Sequence, residues 1–161
     1  MDRSPGESGA MAYDVQLESA RPEWIAAVSV SLAPAEVAQR WKPALDMVWN
    51  FLGRHPEIKR GHNLFLYEHP KRAGLMTAHF GVQVAQPFDP DEEVHCMATP
   101  GGTVAATTHV GPYNRLRAAH EAIHSWLSAQ KRPIGPASWE LYGDWQNDPE
   151  QLRTTICYLV R

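Results

Sequence analysis

Two stretches of the chain carry apolar residues at the three- and four-residue spacing of an amphipathic helix. The first begins near Pro34, a residue suited to the first turn of a helix, and ends at Gly53. The second begins at Pro112 and continues to about Ala129. Both are therefore predicted to be helices that pack one face against a core. The apolar stripes are Val37, Trp41, Leu45, Val48, Trp49 and Leu52 in the first helix, and Leu116, His120, Ile123, Trp126 and Leu127 in the second.

Short runs with the composition of β-strands surround these helices. Each predicted helix has one such run before it and two after it, so the order strand, helix, strand, strand occurs twice. The predicted strands are residues 25–32, 62–68, 75–85, 103–110, 138–143 and 152–160.

The two halves of the chain also match each other in sequence. Residues 25–27 align with residues 104–106 at an offset of 79, and Tyr67 aligns with Tyr142 at an offset of 75. Such a small drift across the same element order predicts a duplicated module.

These patterns predict an α+β fold of the tandem strand-helix-strand-strand type. Two pseudo-repeats, about residues 13–88 and 94–161, would form one antiparallel sheet with both helices on one face and a ligand groove on the other. Residues 13–161 are expected to form a single domain. Residues 1–12, which are rich in Ser, Gly and Pro, are expected to be a disordered tail.

Glu140 stands in the middle of a predicted strand, in the run Trp139-Glu140-Leu141-Tyr142. Strand alternation puts Glu140 and Tyr142 on one face of the sheet and the other two side chains on the opposite face. An ionised carboxylate removed from water needs a partner or shifts its pKa, so a Glu in a core strand indicates a ligand site. Its aromatic neighbours favour a flat apolar molecule that is cationic or that needs a general base. A buried ion pair with Arg or Lys is the structural alternative.

The repeat alignment extends this candidate pocket to the first module. Phe65 and Tyr67 take the positions of Glu140 and Tyr142, so an aromatic wall would face a charged one. The two tyrosines could equally be core residues with hydrogen-bonded hydroxyl groups. His79 alternates with apolar residues and could face the groove or the surface. Trp139 and Leu141 are expected to face the helices, although Trp139 could still reach a ligand.

Composition narrows the classes of function. With 161 residues, 43% of them hydrophobic, the chain can bury one core but is short for two domains. The net charge is −3 and Lys and Arg are scattered, so we expect no nucleic-acid or membrane partner. No apolar run approaches the roughly 20 residues of a membrane span, and the N-terminus lacks the pattern of a signal peptide. We expect a cytoplasmic protein that is a monomer or a homodimer.

The run His120-Glu121-Ala122-Ile123-His124 matches the HExxH pattern of zinc hydrolases. Its context is poor, because His120 shares the apolar stripe of the second helix, and the only plausible third carboxylate downstream, Glu140, lies in a strand. The interpretation we favour is helix packing, with His120 partly buried, His124 exposed and no bound metal. No Ser-His-Asp order and no Cys-His pair can be assembled from the sequence.

Several short motifs occur in a fixed order along the second half of the chain. They are His109-Val110-Gly111-Pro112-Tyr113, Leu116, Trp126-Leu127, Glu140 with Tyr142, Asp148-Pro149 and residues 152–156. Their order and spacing resemble the GyrI-like effector-binding domain, which is also found as the drug-binding half of BmrR-type and Rob-type regulators. The resemblance extends from Tyr13 onward and includes no helix-turn-helix domain, so the chain is similar to the stand-alone members.

The resemblance implies a central groove for flat, hydrophobic and often cationic compounds, with Glu140 on its floor. Some stand-alone members hydrolyse the cyclopropane of DNA-alkylating natural products, and others sequester compounds or modulate gyrase. Two classes therefore remain, a binding module for sequestration or sensing of drugs and toxins, and a metal-free cyclopropanoid hydrolase. In the second, Glu140 would be the general base and Tyr142 would polarise the substrate carbonyl. No cofactor is expected in either. The candidate ligand-binding residues are Phe65, Tyr67, His79, His109, Tyr113, Trp139, Glu140 and Tyr142.

Overall fold

The computed structural model describes residues 13–69 and 74–161, so the expected tail at residues 1–12 lies outside the described residues. The described residues form eight strands and two α-helices. A short 3-10 turn precedes each helix, Pro34–Glu36 before the first and Tyr113–Arg115 before the second. In chain order the elements are β1 (Gln16–Ala20), β2 (Trp24–Leu32), α1 (Val37–Arg54), β3 (Arg60–Glu68), β4 (Met76–Val84), β5 (His95–Ala98), β6 (Gly102–Val110), α2 (Leu116–Ala129), β7 (Ile134–Tyr142) and β8 (Arg153–Val160).

The strands form one eight-stranded antiparallel sheet in the order β1-β6-β8-β7-β3-β4-β2-β5. The predicted α+β fold with an open antiparallel sheet and two helices is confirmed. The strands of the two modules meet at the β3–β7 pair in the middle of the sheet. Each module also receives an edge strand from elsewhere in the chain, because β1 pairs with β6 and β5 pairs with β2.

These two edge strands are absent from the sequence prediction. Strand β1 has the sequence QLESA, and most of it is exposed. Strand β5 has only four residues. Neither run carries the apolar alternation that marks a half-buried strand, so their pairing is decided by the neighbouring strand and not by their own pattern.

Both helices pack on the same face of the sheet, as predicted. Helix α1 buries Val48 and Leu52 in one cluster with Phe65, and α2 buries Ile123 in another cluster with Ile156. Glu140 is paired directly with Phe65 on one side and with Ile156 on the other, so these three side chains share a face. Neither described helix has the length and apolar character needed to cross a membrane.

The face away from the helices carries a buried cluster of apolar side chains. Ile25 of β2 and Val104 of β6 are both buried in one cluster there, although their strands lie near opposite ends of the sheet. The sheet must therefore curve around this face and bury it without the help of a helix. The part of the prediction that placed Glu140 on the face away from the helices is wrong. The cluster on that face contains Ile25, Ala27, Leu64, Leu66, Val104, Ala106, Ala137, Trp139 and Cys157.

Candidate functional site

Glu140 lies at the centre of the sheet on the side covered by the helices. It faces Phe65 across the β3–β7 pair, and the Phe65 ring is 6.1 Å from the ring of Trp41 in α1. The carboxylate is 8% exposed. Strand alternation therefore correctly grouped Glu140 with Tyr142 and correctly matched them with Phe65 and Tyr67, but all four side chains point towards the helices.

Three side chains donate hydrogen bonds to this buried carboxylate. The hydroxyl of Tyr142 is 2.7 Å from Oε1, and the hydroxyl of Tyr67 is 3.4 Å from the same oxygen. Nε2 of His120 is 2.7 Å from Oε2. Within the described part of the chain, His120 is the only basic side chain within ion-pair distance of Glu140, so the pair with Arg or Lys considered from the sequence does not form.

His120 connects the carboxylate to a second group of side chains on α2 and β8. Because a carboxylate only accepts, Nε2 of His120 carries a proton, and Nδ1 on the other side of the ring lies 2.7 Å from the Tyr158 hydroxyl. The ring of Tyr158 meets His124 edge-on at 4.9 Å and lies parallel to the ring of His69 at 6.5 Å. The sequence prediction missed His120, Tyr158 and His69 as parts of the site. The useful signal was His120 itself, a polar residue in the apolar stripe of a helix.

Burial and the charge of Glu140 keep the surrounding tyrosines protonated. Burial raises the pKa of Tyr67 and of Tyr142, and the negative charge of Glu140 raises both further. The same two causes raise the pKa of Tyr158 to about 12. The hydroxyl groups of these tyrosines are therefore hydrogen-bond donors throughout the physiological pH range.

This arrangement predicts a loss of stability in alkaline solution. The ordinary pKa of tyrosine is 10.0 and that of folded Tyr158 is about 12, so the unfolded chain loses this proton first. The contribution of Tyr158 is complete below pH 10 and is lost as the pH rises to 12, which lowers the free energy of unfolding by roughly 1–3 kcal/mol. Urea unfolding across this range should show a shallower decline in Tyr158→Phe. Equal slopes in both proteins would contradict the assignment.

An aromatic cavity of about 250 Å³ opens beside Tyr142. The ring of Tyr113 stacks on that of Tyr142 at 5.2 Å, and Nε1 of Trp49 donates to Oδ1 of Asn63 at 2.9 Å. Tyr142 therefore borders both the cavity and the carboxylate. The lining residues are Trp49, Gly61, His62, Asn63, Tyr113, Tyr142, Gly143, Asp144 and Trp145.

The structure brings together only part of the predicted ligand-binding set. Phe65, Tyr67 and Tyr142 surround Glu140, and Tyr113 stacks above Tyr142. The other three predicted residues lie elsewhere.

His79, His109 and Trp139 do not contribute to this cluster. Trp139 is buried on the face away from the helices. His79 lies on that same face, because it pairs directly with Leu66. His109 lies on the helix side but is held by the Tyr13 hydroxyl at 2.7 Å and by the carbonyl oxygen of Pro112 at 3.0 Å.

The HExxH run does not form a metal site in this arrangement. His120 is partly buried and directs Nε2 to Glu140, whereas His124 is exposed. Among residues 13–69 and 74–161, no group of three His, Cys, Asp or Glu side chains has a geometry that could hold a metal ion.

The chain matches a known family. The sequence pattern of the GyrI-like small molecule binding domain matches residues 59–161, which is more than half of the chain. The chain belongs to the GyrI-like small molecule binding domain family. The matched region contains β3, α2 and β7, and thus Glu140 and the side chains that hydrogen-bond to it. As a GyrI-like domain, the protein binds a small molecule.

Solved structures show the same GyrI-like fold at low sequence identity. The C-terminal domain of EcmrR superimposes with a TM-score of 0.76 at 17% identity, over 92% of this chain and 98% of that one. SAV2435 bound to tetraphenylphosphonium has a TM-score of 0.62 at 15% identity, over 92% and 94%. A hydrolase from Listeria innocua has a TM-score of 0.55 at 12% identity, over 92% of each chain. No curated protein sequence matches the chain significantly.

Proposed function

We propose that this GyrI-like protein binds hydrophobic aromatic cations, with Glu140 as the countercharge, and thereby sequesters or senses drugs and toxins. The observation that carries the proposal is the state of Glu140. The carboxylate is 8% exposed, and its three hydrogen-bond partners are two tyrosine hydroxyls and an imidazole. None of these partners carries a permanent positive charge.

A buried carboxylate of this kind attracts a cation more strongly than a surface carboxylate does. Removal from water costs the ionised group several kcal/mol, and hydrogen bonds from two tyrosine hydroxyls and an imidazole offset only part of that cost. A bound cation would supply the missing charge in a medium of low dielectric constant, where the attraction is strongest. The protein therefore has an electrostatic reason to prefer a positively charged ligand.

The aromatic side chains around Glu140 favour a ligand with delocalised charge and flat rings. Phe65 lies 5.0 Å from Tyr142 and 4.9 Å from Phe80, ring centre to ring centre. Aromatic faces attract cations and stack on other rings. A ligand that combines both properties would gain from each contact.

The aromatic cavity beside Tyr142 offers the route to the carboxylate. Tyr142 separates the two, because its ring borders the cavity and its hydroxyl binds Glu140 at 2.7 Å. Rotation of this ring would join the cavity to the space around the carboxylate. Trp145, which is 72% exposed, and Trp49 also line the cavity, and they could make the first contacts with an aromatic ligand.

Tetraphenylphosphonium is the first ligand to test, because the structurally similar SAV2435 was solved with it. Isothermal titration calorimetry should detect binding of this cation by the purified protein. Triphenylphosphine oxide, a neutral compound with similar rings, should bind more weakly by roughly 1–3 kcal/mol, the scale of a desolvated charge contact. Equal affinity for the two compounds would argue against Glu140 as the countercharge.

A second candidate is the metal-free hydrolase of cyclopropanoid toxins. It is favoured by the contact between a buried carboxylate and tyrosine hydroxyls, since a general base and a donor for a developing oxyanion are both required. Glu140 would take a proton from water while a hydroxyl polarises the substrate carbonyl. In the present arrangement Tyr142 donates to Glu140 at 2.7 Å, and the longer 3.4 Å contact of Tyr67 leaves that hydroxyl freer to turn to a substrate. Ring-opened product, detected by mass spectrometry, would establish this activity.

A further inference from the structure

Three polar side chains on the face away from the helices form a chain of short hydrogen bonds. The hydroxyl oxygen of Ser29 in β2 is 2.6 Å from Nδ1 of His79 in β4. Nε2 of the same imidazole is 2.8 Å from Oε1 of Glu68 in β3. Ser29 and His79 face each other directly across two paired strands, so both sit on rigid backbone. This arrangement was not predicted from the sequence.

The hydrogen-bond pattern assigns a role to each of these side chains. The Glu68 carboxylate only accepts, so Nε2 of His79 carries the proton and Nδ1 is left to accept from the Ser29 hydroxyl. A hydroxyl, an imidazole that accepts its proton and a carboxylate that orients the imidazole are the three parts of a nucleophilic site. Relative to serine proteases, the two ring nitrogens are exchanged, and either nitrogen can act as the base.

Access and geometry also suit a nucleophile at Ser29. Ser29 is exposed, whereas the His79 side chain is only 8% exposed and therefore held in place. Nε2 of His95 lies 3.2 Å from the Ser29 oxygen on the other side and can donate to it. Strand β5 covers β2 only from Trp24 to Ala27, and in the described residues no other strand pairs with that edge further along. Backbone N–H groups that point outward along this uncovered edge would be available to an oxyanion.

We propose that Ser29, His79 and Glu68 form a second site, separate from Glu140, that hydrolyses small carboxylic esters. Ser29 is the nucleophile, His79 the general base and Glu68 a positioning residue. The exposed position of Ser29 favours small acyl groups with good alcohol leaving groups, since a deep acyl-binding cavity is not needed for them. The proposal does not depend on the proposed ligand site, which lies on the other face of the sheet.

The reaction balances with water as the only co-reactant. The Ser29 oxygen attacks the ester carbonyl while its proton passes to Nδ1 of His79. The tetrahedral intermediate expels the alcohol, which takes the proton from His79 and leaves acyl-Ser29. Water then attacks the acyl group and gives its proton to His79, and the carboxylic acid departs as Ser29 recovers that proton.

The test uses a fluorophosphonate reagent and p-nitrophenyl acetate on the full chain. We expect a single adduct that maps to Ser29 by peptide mass spectrometry, together with hydrolysis of the ester above the buffer rate. Ser29→Ala should abolish the adduct and lower the protein-dependent rate by roughly 10²-fold or more, the scale of losing a nucleophile and its base. Ser31→Ala is the matched control, because Ser31 is an exposed serine two residues further along the same strand and face.

Glu68→Gln separates a positioning role from a structural one. The Glu68 side chain is 55% exposed, so the variant should fold. We expect it to lower the maximal rate of labelling and to leave the half-saturating reagent concentration unchanged. Failure of the reagent to modify the wild type, an adduct at another residue, or full labelling of Ser29→Ala would overturn the proposal and leave His79 as a hydrogen-bonded core histidine.

Discussion

Replacing Glu140 with glutamine is expected to preserve the fold and to remove the charge-dependent function. The two side chains have nearly the same volume, and the amide oxygen of glutamine can still accept from Tyr142. If the protein is a binding module, its affinity for tetraphenylphosphonium should fall by roughly 1–3 kcal/mol, because the cation loses a desolvated countercharge. Affinity for the neutral triphenylphosphine oxide should stay nearly the same. Calorimetric titration of both compounds measures the difference directly.

The same variant distinguishes the binding module from the hydrolase. Loss of a general base should lower the turnover of a cyclopropanoid substrate by roughly 10²-fold or more, with little change in the affinity for that neutral substrate. Glu121→Gln is the matched control, since Glu121 lies on α2 with 70% of its side chain exposed. If Glu140→Gln kept both the full affinity for the cation and the full turnover, Glu140 would be a structural residue and the ligand site would lie elsewhere.

Replacing Phe80 with alanine is expected to have the largest effect on stability. Phe80 is fully buried in β4, and its ring packs edge-on against Phe65 at 4.9 Å and against Tyr67 at 6.4 Å. Removal of the ring forfeits the free energy of burying it and leaves a cavity, and together these effects typically lower the free energy of unfolding by about 3–5 kcal/mol. That is a large share of the roughly 5–15 kcal/mol that stabilises a domain. Urea unfolding monitored by circular dichroism gives the free energy of unfolding for comparison with the wild type.

Trp145→Ala serves as the control for Phe80→Ala, because it removes a larger ring that is 72% exposed. Its free energy of unfolding should change by no more than about 0.5 kcal/mol. Phe65 and Tyr67, which Phe80 supports, also flank Glu140, so Phe80→Ala should weaken cation binding even under conditions where the variant is folded. A Phe80→Ala protein with unchanged stability would show that the neighbouring rings close the cavity, contrary to the dense packing of this cluster.

The sequence correctly predicted which side chains share a face of a strand, because the alternation of side chains along a strand is a local property. It placed Glu140 with Tyr142 and matched them with Phe65 and Tyr67, and the structure pairs Phe65 directly with Glu140 across the centre of the sheet. The repeat also located both helices to within a few residues, although Trp49 of the predicted apolar stripe is 37% exposed and lines the cavity.

The sequence did not correctly predict which face of the sheet the helices cover. The sequence prediction put Glu140 in a groove on one face of the sheet and therefore assigned Trp139 and Leu141 to the helices on the other. The real sheet curves, so its helix-free face buries Leu64 and Trp139 by itself. The helices cover the other face, which contains the carboxylate of Glu140. His120 of α2 donates a hydrogen bond to that carboxylate.

By itself, the sequence determined the α+β class, the duplicated element order and the residues that share a strand face with Glu140, because each depends on periodicity within one segment. Only the tertiary structure decided which face the helices cover, where the two edge strands pair, and which side chains from distant parts of the chain come into contact. Glu140 meets Tyr67 from 73 residues away, and Ser29 meets His79 from 50. Such contacts depend on the curvature and strand order of the whole sheet, and no local pattern of residues encodes them.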